Sequence, residues 1–182
     1  ATTAGAPTNL IATVSGGQVS IAFTAPSDNG ADITDYEYLL GGSGTWQSAG
    51  TTTTPVEVTG LTNGTEYSIT LRAVNSQGDG AESAALTSTP ATTAGAPTAL
   101  IATVGNGQVS IAFTAPDDNG ADITGYEYEL DGSNTWVSAG TTTTSPVEVT
   151  GLNNGTEYSI KLRALNSQGD GAESAALRST PA

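Results

Sequence analysis

The strongest constraint on the fold is a segment that occurs twice, at residues 55–75 as PVEVTGLTNGTEYSITLRAVN and at residues 146–166 as PVEVTGLNNGTEYSIKLRALN. In each copy a short alternating apolar stretch passes through Asn-Gly, a strong turn signal, into a longer alternating stretch. A tyrosine follows a leucine by six residues, as Tyr67 after Leu61 and as Tyr158 after Leu152. Because alternation with a period of two is typical of strands, the segment predicts an all-β fold.

The repetition extends over the whole chain. ATTAGAPTNLIATV at residue 1 returns as ATTAGAPTALIATV at residue 91, and the offset stays at 90 up to Thr144, after which we take Ser145 to be inserted. The repeat predicts two domains, residues 1–90 and 91–182, each large enough for its own core. Residues 90–97, PATTAGAP, are expected to form a short linker restricted by its prolines. Since a repeat boundary stands at both ends, we expect a piece of a longer array.

The remainder of each unit predicts further short strands and no helix. In the first unit the strands are expected at residues 10–14, 18–24, 33–40, 45–48, 56–58, 67–74 and 81–88, with 51–54 as an exposed connecting strand. Seven short strands in about 90 residues predict two consecutive antiparallel β-sandwiches. The two copies differ at 13 positions besides Ser145, and we assign most of these to loops or outward strand positions, including Leu39 and its counterpart Glu129.

The excess of acidic over basic residues makes some classes of binding partner unfavourable. The chain carries 18 acidic and 4 basic residues, a net charge of −14, and each unit has −7. Such a surface repels phosphate backbones and anionic membranes, which argues against nucleic acid. No apolar run approaches the length of a membrane span, so no membrane insertion is expected, and mutual repulsion favours a monomer.

The segments VSIAFTAPSDNGADITDYEY and LTNGTEYSITLRAVNSQGDGAES, each present in two versions, resemble the fibronectin type III family, in particular tandem domains of bacterial secreted and cell-surface proteins. The resemblance covers nearly the whole chain. It implies that the Tyr67 and Tyr158 hydroxyls bond to backbone upstream in a tyrosine corner. Phe23 and Phe113 stand where the family usually has tryptophan. The resemblance also implies an extracellular location, secreted or at the cell surface.

Two loops are candidates for ligand contact. The acidic loops could offer oxygens to calcium, although the first has only two carboxylates; their acids are Asp28 and Asp32, then Asp117, Asp118 and Asp122. The alternative is a solvated turn whose Asp and Asn cap their own backbone. In animal relatives the later loop can carry Arg-Gly-Asp, whereas here Gln77 and Asp79, or Gln168 and Asp170, flank the glycine. Without the arginine, a plain glycine-rich hairpin is the competing interpretation.

Trp46 and Trp136 are candidates for sugar-stacking platforms. Alternatively, each ring covers the outer face of the sheet beside the tyrosine-bearing strand. Arg72 is expected to pair across strands with Glu37, and Arg163 with Glu127.

A catalytic function is not predicted. The chain lacks His, Cys and Met, so the usual general base and a thiolate nucleophile or metal ligand are absent, and no cofactor is expected apart from calcium. The sequence therefore predicts a non-catalytic spacer whose partners are neighbouring repeats. The alternative is a binding module for an unidentified protein or glycan, either an adhesin segment or an accessory domain of a secreted polysaccharide-degrading enzyme.

Overall fold

The computed structural model describes residues 1–182 and contains strands, turns and no helix. The chain divides into two compact units, Ala1–Ala91 and Thr92–Ala182. The all-β prediction is confirmed in both. No helix has the length and apolar character of a membrane span.

The strands are short, as the turn spacing predicts. In the first unit they are β1 Thr8–Ser15, β2 Gln18–Thr24, β3 Ile33–Leu40, β4 Trp46–Ser48, β5 Val56–Val58, β6 Tyr67–Asn75, β7 Gly78–Asp79 and β8 Leu86–Ser88. In the second they are β9 Thr98–Gly105, β10 Gln108–Thr114, β11 Gly125–Leu130, β12 Trp136–Ser138, β13 Val147–Thr150, β14 Tyr158–Asn166, β15 Gly169–Asp170 and β16 Leu177–Ser179.

Each unit is a sandwich of two antiparallel sheets. In the first unit one sheet has the order β1-β2-β5, and the other has β4-β3-β6 with β7 and β8 both along β6. Since β7 and β8 are two pieces of one edge, the unit has seven strand positions. The second unit repeats this arrangement with β9-β10-β13 and β12-β11-β14 followed by β15 and β16. The prediction of two antiparallel sandwiches is confirmed.

The core of each unit consists of the inward residues of the alternating strands. Val19, Ile21, Ile69 and Leu71 are fully buried. Where the family usually has tryptophan, Phe23 packs edge-on against the Tyr36 ring at 4.7 Å between centroids, and Phe113 packs in the same way on Tyr126. Burial raises the pKa of both Tyr36 and Tyr126.

The tyrosine corner is present in both units. The Tyr67 hydroxyl accepts a hydrogen bond from the Thr62 backbone N–H at 3.0 Å, and the Tyr158 hydroxyl accepts one from Asn153 at 3.0 Å. The bond fixes the connection between β5 and β6.

The predicted last strand, residues 81–88, is wrong in its first half. At this point the Ser83 hydroxyl, in place of a backbone carbonyl, accepts the Leu71 N–H of β6 at 3.0 Å. Regular pairing therefore exists only before it, at β7, and after it, at β8.

The predicted connecting strand at residues 51–54 does not form. The Thr51 hydroxyl bonds within its own turn, accepting the Thr53 N–H at 3.2 Å and donating to the Thr53 carbonyl at 3.2 Å. Local side-chain bonds of this kind compete with a strand ladder.

Residues 92–97 of the predicted linker are built into the domain that follows, whereas Pro90 belongs to the domain before it, where its carbonyl accepts the Gly64 N–H at 2.9 Å. Ala94 is buried, its carbonyl accepts the Ala172 N–H at 3.0 Å, and the Gly95 N–H donates to the Asp117 carbonyl at 2.8 Å. Residues 1–7 repeat this in the first unit, where Ala4 is buried and accepts the Ala81 N–H at 3.1 Å. We call residues 2–7 and 92–97 the straps. Small residues suit a buried strap, so a composition typical of linkers was misleading here.

The inserted residue also has a different position from the one that the sequence alignment suggests. Ser145 precedes Pro146 and its hydroxyl accepts the Phe113 N–H at 2.9 Å. Thr54 precedes Pro55 and does the same for Phe23 at 3.1 Å. Ser145 is therefore the structural counterpart of Thr54, and the extra residue belongs to the threonine loop before it.

Candidate functional site

The tryptophan of each unit stacks on an arginine. The Arg72 guanidinium lies 4.3 Å from the centre of the Trp46 ring, and its Nε donates to Glu37 Oε2 at 2.7 Å. Its Nη1 pairs with Asp79 Oδ2 at 2.8 Å. We call this group of four side chains the arginine clamp. The predicted pair of Arg72 with Glu37 is confirmed, whereas the contacts with Trp46 and Asp79 were not predicted.

The second unit holds an equivalent arginine clamp. Arg163 lies 4.4 Å from the Trp136 ring centre, bonds Glu127 Oε2 at 2.6 Å and pairs with Asp170 Oδ2 at 2.9 Å. The clamp joins four strands, because β11 carries Glu127, β12 carries Trp136, β14 carries Arg163 and β15 carries Asp170. A cation held over a ring and between two carboxylates stabilises the outer face of the sheet.

Glu129 is buried, although the sequence pattern assigns it to an outward strand position. It lies at an outward position of β11, yet only 3% of it is exposed. One of its oxygens accepts the Asn134 N–H at 2.6 Å, and the other lies 3.9 Å from Lys161 Nζ. The hydrogen bond between Lys161 and Glu173 raises the pKa of this lysine. The buried Glu129 of the second unit, at the position of Leu39 in the first, therefore has a backbone N–H as hydrogen-bond partner and a nearby cation at Lys161, where the first unit has Thr70.

The acidic loops use several of their carboxylates locally. Asp28 Oδ1 accepts the Gly30 N–H at 2.9 Å, Asp117 Oδ1 accepts the Asn119 N–H at 3.0 Å, and Asp118 Oδ1 accepts the Gly120 N–H at 2.9 Å. Such bonds are typical of Asx turns. Asp32 and Asp122 complete the predicted calcium candidates, but no group of three or more acidic side chains is placed to hold a metal ion.

A buried asparagine joins the acidic loop, the strap and the later loop, and sequence reasoning missed it. Asn75 is 4% exposed, and its Nδ2 donates to the carbonyls of Thr2 at 3.0 Å, Asp28 at 3.1 Å and Ala31 at 3.3 Å. Its Oδ1 accepts the Gln77 N–H at 2.9 Å. Asparagine at a strand end beside a glycine-rich loop is so common that its position gave no signal.

The later loop of each unit is a tight turn between two strands. In the first unit the Gln77 side chain hydrogen-bonds only to Ser76, at 3.3 Å, and the Asp79 carboxylate forms an ion pair with Arg72. Gln168 and Asp170 repeat this with Ser167 and Arg163. The structure therefore brings Trp46 and Asp79 together through the arginine but leaves Gln77 outside the clamp.

Replacing Arg72 with glutamine is expected to lower the free energy of unfolding of the first unit by about 1–2 kcal/mol. The substitution removes one stacking contact and two partly buried ion pairs, each of which contributes up to about 1 kcal/mol. Urea denaturation measures the change, and a double-mutant cycle with Trp46→Leu separates the stacking contribution. Thr70→Gln, at an outward position of the same strand, is the control and should change stability little. An Arg72→Gln protein as stable as the wild type would contradict the clamp.

A comparison with protein families finds one match in each unit. The profile described as "Fibronectin type III domain" matches residues 5–89 and residues 95–180. Together these ranges cover nearly the whole chain.

Two bacterial proteins and one fish protein resemble the chain in sequence. It is 31% identical over 166 residues to "Chitinase A1" of Niallia circulans, covering 86% of this chain and 22% of that protein. It is 33% identical over 159 residues to "Endoglucanase B" of Cellulomonas fimi, covering 80% and 15%. It is 31% identical over 132 residues to "Receptor-type tyrosine-protein phosphatase F" of Danio rerio, covering 70% and 7%. The chain thus spans less than a quarter of each relative.

Among solved structures, the chain resembles the chicken CNTN1 FN1-FN3 domains with a TM-score of 0.47 and 20% identity. The match covers 98% of this chain and 67% of that one.

Proposed function

This chain belongs to the fibronectin type III family, and from that premise we propose that it is a non-catalytic spacer in a longer extracellular bacterial protein that degrades a polysaccharide. The observation that carries the proposal is the arginine clamp. Trp46 and Asp79 are the side chains that a glycan or protein ligand would most readily use, and both contact Arg72. The same holds for Trp136 and Asp170 with Arg163.

The relatives support the second half of the proposal. Two of them carry the names of polysaccharide-degrading enzymes, a chitinase and an endoglucanase, and most of each lies outside the matched part. A spacer must also stay soluble beside its neighbours, and a net charge of −14 over 182 residues favours this.

A co-sedimentation assay with insoluble chitin and with insoluble cellulose tests the spacer role. We expect the purified chain to remain in the supernatant, because the clamps already engage the rings of Trp46 and Trp136. The variant Trp46→Ala with Trp136→Ala should behave in the same way. Retention of the wild type that is lost in this variant would support the alternative, a carbohydrate-contacting module. Retention of both proteins would also contradict the spacer role and would place the contact elsewhere.

The coding sequence on either side of these residues tests the parent protein independently. We expect the same reading frame to contain a domain for polysaccharide hydrolysis. A frame with only further repeats and a surface anchor would instead favour an adhesin segment, whatever the sedimentation assay gives.

A further inference from the structure

Strand β1 forms one edge of its sheet. In the order β1-β2-β5 it pairs only with β2, and its regular register extends over residues 11–15. One row of backbone N–H and C=O groups in this segment therefore has no strand partner. Such a row is a template for pairing with another chain. In the second unit β9 occupies the same position beside β10.

The other sheet edges of the first unit are short, and two of them carry an acid. Strand β5 has three residues, including Glu57, and β4 has three residues. The remaining edge is divided into β7, which contains Asp79, and β8 with three residues. Short strands and charges are the usual ways in which proteins prevent edge pairing. By contrast β1 has eight residues, TNLIATVS, and no charge.

The side chains of β1 also favour pairing. Ile11 is 66% exposed, as is Ile101 at the equivalent position of β9, and Val104 is exposed on the same strand. Threonine and β-branched apolar residues with low net charge and no proline favour strand association. A bulge at Asn9, with φ of 53°, interrupts the register before Ile11 and limits the available edge to the residues after it.

We propose that this uncharged edge binds the same edge of a second copy of the chain in antiparallel register, independently of the spacer role. A two-fold arrangement of this kind presents the same residues from both copies, so an uncharged strand meets an uncharged strand. Elsewhere two chains of −14 repel each other. The contact of one strand edge is smaller than the roughly 800 Å² per partner of a stable dimer, so the association is weak. It strengthens with salt, because salt screens the repulsion.

Sedimentation equilibrium of the full chain at low and high salt tests this pairing. Between about 20 mM and about 1 M NaCl we expect the association constant to rise by about tenfold or more. The variant Ile11→Lys with Ile101→Lys should lose the association by a similar factor, since inserted lysine is an established block to edge pairing. The matched control is Thr70→Lys with Thr87→Lys, which adds the same charge on the other sheet. The second unit already has a base at both positions, Lys161 and Arg178.

Hydrogen exchange of the wild type locates the contact without a substitution. At high salt and high protein concentration, the amides of residues 11–15 and 101–105 should exchange more slowly than in dilute protein. A chain that stays monomeric in about 1 M NaCl would overturn the proposal. So would an association that the edge lysines leave unchanged, or one whose protected amides lie on other strands.

Discussion

Replacing Gly171 with alanine is expected to lower the free energy of unfolding of the second unit by about 3 kcal/mol. A Cβ at this position would lie 2.7 Å from the Ala164 carbonyl oxygen and 2.9 Å from the Ala94 carbonyl oxygen. Both are backbone atoms, one in β14 and one in the strap, so a strand or the strap must move. Overpacking of this kind costs about 1–3 kcal/mol and occasionally more. The melting temperature of the unit should fall by roughly 10–20 °C, measured by calorimetry.

The chain offers a matched glycine as the control. A Cβ at Gly125 in the same unit would meet no atom within 4 Å, and its φ is not positive. Gly125→Ala should therefore be neutral or stabilise by up to about 1 kcal/mol, because alanine restricts the unfolded chain. Gly80→Ala, whose Cβ would lie 2.7 Å from the Ala73 oxygen and 2.8 Å from the Ala4 oxygen, should reproduce the loss in the first unit. Equal stabilities for Gly171→Ala and Gly125→Ala would show that the strap does not pack as described.

Replacing Asn75 with aspartate is expected to destabilise the first unit by about 3–5 kcal/mol at neutral pH. The substitution conserves shape but places a carboxylate oxygen where Nδ2 now donates to three backbone carbonyls. A buried charge without a partner typically costs this much. Urea denaturation at pH 7 measures the loss. The exposed pair of Asn9 with Thr24 provides the control, because Asn9→Asp should have little effect.

The same variant should recover stability in acid. Surrounding carbonyl oxygens and burial disfavour the charged form, so the pKa of the new carboxyl is raised in the folded state above its ordinary value of about 3.9. Below that value the group is protonated in both states and the penalty for charge is absent. As the pH rises above about 3.9, the unfolded chain loses the proton that the folded state keeps, so stability falls until the pH has passed the folded-state pKa. The difference between variant and wild type should thus shrink from pH 7 to about pH 3, and a constant difference would contradict the role of Asn75.

The sequence predicted the sandwich well because its information is local. Alternation in residues 67–74 places Ile69 and Leu71 in the core. The family resemblance carried by Leu61 and Tyr67 implies the tyrosine corner, which the Thr62 N–H completes. The pair of Arg72 with Glu37 follows from the same alternation, since neighbouring strands bring outward residues together. The core positions and the ion pair need only the period of the strand and the order of two neighbours, whereas the tyrosine corner rests on the family resemblance.

Apart from the connecting strand at residues 51–54, the predictions that failed depend on contacts between segments that are distant in the sequence. The straps look like linkers because Ala, Gly and Thr carry little signal, yet Ala4 lies against Gly80, far along the chain. Glu129 looks like a surface acid, but Lys161 on the neighbouring strand lies near its carboxylate, in addition to the local bond from the Asn134 backbone N–H. The residues next to Ser83 in the sequence do not indicate that its hydroxyl accepts a backbone N–H of β6.

By itself, then, the sequence determined the class of fold, the repeat and the inward face of most strands, because strand periodicity and turn chemistry are properties of adjacent residues. Only the tertiary structure decided what the candidate ligand residues contact. Trp46 and Asp79 are separated by 33 positions in the sequence and meet only because β3, β4, β6 and β7 lie side by side around Arg72. The availability of a side chain to a ligand depends on which neighbours the sheet order supplies, and that order is fixed by the packing of the whole sandwich.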